Sequence, residues 1–132
     1  MDYPDGHWEL LTTSAFAAIL GPIRVRPAPE PVFRTTVGPD CANTMGRMHG
    51  GYASALVDIC TGQGLKRLLG EGRSLVTVST HIDFLGSAAV GDVLDIVVAA
   101  EKVTRSVVFA SCRVTANGSN VVRASVVFSS RA

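Results

Sequence analysis

Basic runs are missing from this sequence. No stretch of Lys or Arg exceeds two residues, Lys66-Arg67, and the formal net charge is only +1. Binding a nucleic-acid backbone takes clustered cations, so no nucleic-acid partner is expected. A small anionic ligand stays open, because a few local cations suffice for it. Cysteine is scarce: Cys41, Cys60 and Cys112 are odd in number and widely spaced, with no pair at metal-ligand spacing. They read as free thiols of a reducing compartment. Long apolar runs are absent too, none approaching the ~20 residues of a membrane span. The opening Met1-Asp2-Tyr3-Pro4-Asp5-Gly6 is acidic and polar, unlike the basic-then-apolar start of a secretory leader. The expectation is a soluble, cytoplasmic protein with no membrane contact. Internal repeats, low-complexity tracts and linkers are also lacking, and 132 residues suit one domain.

What is present is a chain 47% hydrophobic, enough for a core without staples. Leu10, Leu11, Phe16, Ile19 and Leu20, followed by Gly21-Pro22, predict a short helix from Trp8 to Leu20. Pro27, Pro29 and Pro31 then cut the chain into short extended pieces. Val32 to Val37 predicts a strand and Gly38-Pro39-Asp40 a turn. A long helix follows from Gly50 to Leu69, closed by Gly70 to Gly72. After it the period becomes 2. Val76, Val78, Ile82 and Phe84 alternate with Thr77, Ser79, His81 and Asp83, the pattern of a half-buried strand. Further strands are expected at Val93 to Val103, Ser106 to Thr115 and Val121 to Ser129, the last two joined by a hairpin turn at Asn117-Gly118. The fold class is α+β: an antiparallel sheet with one long helix packed on one face.

That helix holds unexpected residues. Projected at 100° per residue from Leu56, its apolar positions Ala53, Val57, Cys60, Gly64, Leu65, Leu68 and Leu69 span an arc of about 220°. Tyr52, Ala55, Ile59, Gln63 and Lys66 fall mainly on the other arc. Asp58 lands near 200°, at the apolar edge, with no Lys or Arg three or four residues away. Two readings stand: a carboxylate that reaches water or caps backbone, or one kept for chemistry. His49-Gly50-Gly51 also reads two ways. It is a flexible approach to the helix, or it exposes helix N-terminal N–H groups to an oxyanion or polarised carbonyl.

Asn43, then His49-Gly50-Gly51 six residues on, then Asp58 nine beyond His49, followed by "VTVSTHIDFLGSAAVGD", resembles the hotdog-fold acyl-CoA thioesterases of the PaaI type. The resemblance covers residue 40 to the C-terminus and implies a curved antiparallel sheet wrapped around a central helix. It implies Asp58 as catalytic base or nucleophile and Gly50 as the N–H donor that polarises the thioester carbonyl. Asn43 helps hold that carbonyl or the water, Thr77 assists the water, and His49 and Gly51 complete the motif. No cofactor and no metal are implied. Lys66, Arg67, Lys102, Arg105 and Arg131 are candidates for the nucleotide phosphates, an ordinary solvated surface being the alternative for each. Leu85-Gly86-Ser87-Ala88 departs from the family, which often has proline there. Residues 1–40 match nothing in the motif and are free to shape an acyl pocket.

Gly50 and Asp58 stand eight residues apart on one helix, about 12 Å along its axis. Both must act within roughly 3 Å of one reacting centre or its water. One chain can hardly supply both. The expectation is a homodimer with shared sites, paired again into a tetramer, as the resemblance also implies. Two other readings remain: a non-catalytic acyl-CoA-binding hotdog protein, and a hotdog 3-hydroxyacyl thioester dehydratase.

Overall fold

The computed structural model describes residues 3–131. Its strands are β1 (Glu9–Leu10), β2 (Arg24–Arg26), β3 (Val32–Thr36), β4 (Ser74–Phe84), β5 (Val93–Val103), β6 (Val107–Ala116) and β7 (Ser119–Arg131). They form one antiparallel sheet in the order β1-β2-β3-β5-β6-β7-β4. Among the described residues two α-helices accompany it, α1 (Ala15–Ile19) and α2 (Gly50–Leu69), with a 3-10 turn at Pro39–Cys41. This is the hotdog arrangement. Among the described residues, no helix is long and apolar enough to cross a membrane.

The core sits between α2 and the sheet. Leu56, Val57, Cys60 and Leu65 of α2 join Phe33, Leu94, Ile96, Val108, Val122 and Val126 in one buried cluster. Each fully buried large side chain contributes about 1.5–3 kcal/mol. Gly64 sets how closely α2 approaches the sheet, since a Cβ there would stand 3.0–3.2 Å from the side-chain carbons of Val98 on β5. Gly64→Val should therefore lower stability by about 1–3 kcal/mol despite a better helix former. Urea titration would check it; an unchanged midpoint would mean that the contact yields freely.

Several expectations need correction. The helix from Trp8 to Leu20 is in fact a strand and a shorter helix. Glu9 and Leu10 pair with Val25 and Arg24, and α1 begins only after Ser14, whose Oγ accepts from the Ala17 N–H at 3.1 Å. β-Branched Thr12 and Thr13 and a capping serine favour that break. Residues 3–10 are held down by Arg34, which binds Asp95 (2.6 and 3.0 Å) and Asp5 (2.6 Å). Its guanidinium also lies over Trp8, 4.3 Å from the ring centre.

Tyr52 is buried, not on the solvent arc, while Leu68 is exposed. The buried arc thus runs from Tyr52 near 320° round to Leu65 near 180°, which leaves Asp58 just beyond it. The alternation expected in β4 also fails. The register shifts between Thr77 and Ser79, leaving Val78 unpaired in a bulge. Inward parity passes from Leu75 and Thr77, opposite buried Ser130 and Phe128, to Thr80, Ile82 and Phe84, opposite buried Val126, Ala124 and Val122. Val76 and Val78, expected to be inward, are 63% and 65% exposed. The hairpin at Asn117-Gly118 is as expected, with φ of 53° and 79°.

Candidate active site

The N-terminus of α2 is built by His49. It is the N-cap, with extended backbone (φ −69°, ψ 137°), and its Nδ1 accepts from the Gly51 N–H at 2.8 Å. Nδ1 must be unprotonated to do so. The His49 carbonyl accepts from Ala53 N–H at 3.0 Å. Gly51 is required by this cap, because a Cβ would lie 3.0 Å from Nδ1. The Gly50 N–H is left with no acceptor among the described residues. The Phe84 ring borders Gly50, 3.6 Å from where a Cβ would stand.

Asn43 folds the loop that leads into this cap. Its Oδ1 accepts from the N–H groups of Met45 (2.9 Å) and Arg47 (3.1 Å). Arg47 in turn donates to Ser87 Oγ at 2.8 Å, in the turn Leu85-Gly86-Ser87-Ala88. The Asn43 Nδ2 group has no acceptor among the described residues.

A second cluster lies two turns along α2. The Thr77 hydroxyl donates to Asp58 Oδ1 at 2.6 Å. The bulge at Val78 leaves Thr77 on the helix side of β4. The pair faces a cleft of about 170 Å³ shared with Thr13, Ser14, Gln63, Lys66 and Phe128. Asp58 is exposed within its own chain, so its own apolar neighbours do not desolvate it. The buried arc of α2 ends at Leu65, short of Asp58.

The structure brings His49, Gly50 and Gly51 together at the start of α2, with Asn43 in the loop just before it, and separately Asp58 with Thr77. About 12 Å of helix divides the two groups. Lys102 and Arg105 join neither. Lys102 pairs with exposed Phe109, on the sheet face away from α2, and Arg105 lies in the turn between β5 and β6. Gln63, Thr13 and Ser14 beside Asp58 were not identified from sequence. Gly62 and Gln63, about one turn on from Asp58, line the same cleft. Contact with residues 13–14 depends on long-range folding and had no local signal.

The sequence model of the thioesterase superfamily matches residues 45–123. A Pseudomonas aeruginosa protein provisionally named an esterase is 31% identical over 130 residues, 97% of either chain. A solved Ralstonia eutropha JMP134 protein, provisionally named a thioesterase and related by name to phenylacetic acid degradation, is 22% identical. It has a TM-score of 0.80 over 90% of this chain and 92% of its own. A Streptococcus pneumoniae TIGR4 protein, also provisionally named a thioesterase and solved with coenzyme A, is 22% identical. Its TM-score is 0.76 over 96% and 99% of the two chains. Likeness to these two structures is one of fold.

Proposed function

This chain belongs to the thioesterase superfamily, and from that premise we propose that it hydrolyses acyl-CoA thioesters to free acid and coenzyme A. The observation that carries the reading is the division of α2. A hydroxyl-held carboxylate faces a cleft at one point of the helix, and an unclaimed N–H stands at its start.

In this scheme the Gly50 N–H of one chain donates to the thioester carbonyl oxygen, assisted by Asn43 Nδ2. Charge that develops on that oxygen meets the positive end of α2. Asp58 of the other chain takes a proton from water as the water oxygen attacks the carbonyl carbon. Thr77 fixes Oδ1, which leaves Oδ2 for the water. The tetrahedral intermediate then collapses, the C–S bond breaks, and the departing sulfur takes the proton from Asp58. A thiolate leaves readily, so no serine–histidine pair is needed. Direct attack by Asp58 through an anhydride is the other route open to these groups.

The second chain is added along β4. This edge strand has eleven residues and exposed Val76 and Val78, whereas β1 at the other edge has two residues. A long apolar edge calls for a partner. Exposed Val97 and Phe109, on the sheet face away from α2, suit pairing of two such dimers.

Free-thiol release from a panel of aliphatic and aromatic acyl-CoAs tests the activity. Steady release supports it. Tight binding without release would favour a non-catalytic acyl-CoA binder, and hydration of an enoyl-CoA would favour a dehydratase. Thr77→Val should lower kcat about tenfold with little change in KM, while Thr77→Ser keeps most activity. Equal rates for the two variants would reduce Thr77 to a packing residue.

A further inference from the structure

A cavity of about 450 Å³ lies between β1, α1 and the start of β2, lined by residues 10–15, 17–18 and 21–23. All of this lining lies outside the stretch that matches the superfamily, 45–123, so the cavity belongs to this chain's own N-terminal segment. Leu10, Leu11, Ala15, Ala18, Pro22 and Ile23 supply apolar wall. No charged residue lines it. Its polar groups, Thr12, Thr13 and Ser14, lie together in one stretch of chain. Two of them, Thr13 and Ser14, also line the Asp58 cleft. Thr13 and Ser14 therefore wall both spaces, with the Asp58 cleft on one side and the cavity on the other. Thr13 is anchored there, since its Oγ accepts from Gln63 Nε2 at 3.1 Å.

We propose that this cavity receives the acyl group of the thioester and selects uncharged medium-length or single-ring acyl groups over short ones. The inference rests on the hydrolase reading for its occupant, but its walls are independent of that reading. The volume falls in the range of about 300–1,000 Å³ common for small-molecule sites. At roughly 30 Å³ per heavy atom, taken from the share of a water molecule, it holds on the order of ten to fifteen atoms. Octanoyl and phenylacetyl groups, of about nine heavy atoms each, fit within that space and cover most of it. An acetyl group leaves most of the wall uncovered, and a carboxylate-bearing acyl group finds no cation there. Alanines at 15 and 18 keep the space open, and Ala18 is exposed, so enlarging it need not disturb the core.

The test compares wild type with Ala18→Phe, folding being checked by thermal melting. Octanoyl-CoA, phenylacetyl-CoA and acetyl-CoA are assayed for thiol release, and S-octyl-CoA, an uncleavable thioether, is titrated by calorimetry against coenzyme A alone. Wild type should prefer the two larger thioesters and bind S-octyl-CoA at least tenfold more tightly than coenzyme A. Ala18→Phe should lower kcat/KM for the larger pair on the order of tenfold or more, leave acetyl-CoA within twofold, and remove the thioether's advantage. Unchanged profiles and titrations in Ala18→Phe would overturn the assignment while leaving the hydrolase reading intact. If no thioester is cleaved, the hydrolase reading fails and the titration alone decides: loss of the thioether's advantage in Ala18→Phe supports the cavity, and its retention or absence in wild type overturns it. If Ala18→Phe melts early, Ala18→Leu with the same readouts decides.

Discussion

Asp58→Asn should yield a folded protein that binds acyl-CoA and barely turns it over. The amide has the carboxylate's shape, and its oxygen still accepts from the Thr77 hydroxyl, 2.6 Å from Asp58 Oδ1 in the native chain. Asp58 is exposed in its own chain, so stability should move by no more than about 0.5 kcal/mol. What the amide cannot do is take a proton from water or attack a carbonyl. The expected loss in kcat is on the order of 10²–10⁴-fold, with KM nearly unchanged, because the interaction is made in the transition state. Rapid turnover by a folded variant would remove Asp58 from the chemistry, whether as base or as nucleophile.

Gly50→Pro should be comparably damaging for a different reason. Gly50 is the first residue of α2 and its N–H has no acceptor among the described residues. Proline is tolerated at that helical position. The preceding residue must be extended, and His49 already is, with ψ of 137°. The substitution therefore deletes one N–H and little else. Loss of a single oxyanion donor typically lowers kcat about 10²–10³-fold. Gly50→Ala is the control: it keeps the N–H, and its Cβ would meet Phe84 at an ordinary 3.6 Å. Activity of Gly50→Ala should stay within a few-fold of wild type. If both variants fold and retain activity, the carbonyl is polarised by another group.

Local signals made much of this legible before the fold was known. The bounds of α2 follow from its period and from the glycines at either end, and the hairpin follows from Asn117-Gly118. The distance between Gly50 and Asp58 was also legible, since both stand on one helix eight residues apart. The misreadings share a physical cause, which is dependence on partners remote in sequence. β1 exists because Glu9 and Leu10 pair with β2. The β4 bulge is set by its register with β7, and nothing in the residues around Val78 announces the parity switch that keeps Thr77 on the same side as Ile82. Lys102 and Arg105 were chosen by charge alone, a signal that does not say which sheet face a residue occupies, and register puts Lys102 on the face away from α2. His49 was partly readable: an N-cap position favours an acceptor side chain, and the adjoining Gly51 is what its ring requires.

In the proposed mechanism each site takes Gly50 from one chain and Asp58 from another. The direct measurement mixes two separately inactive proteins, Gly50→Pro and Asp58→Asn, by co-expression or joint refolding. Native mass spectrometry counts mixed dimers while thiol release is followed. In a mixed dimer one site receives both damaged groups and the other receives neither. Random pairing makes about half of the dimers mixed, so activity should return to about a quarter of wild type if sites act independently. Mixed dimers present at that level with no return of activity would contradict the shared site.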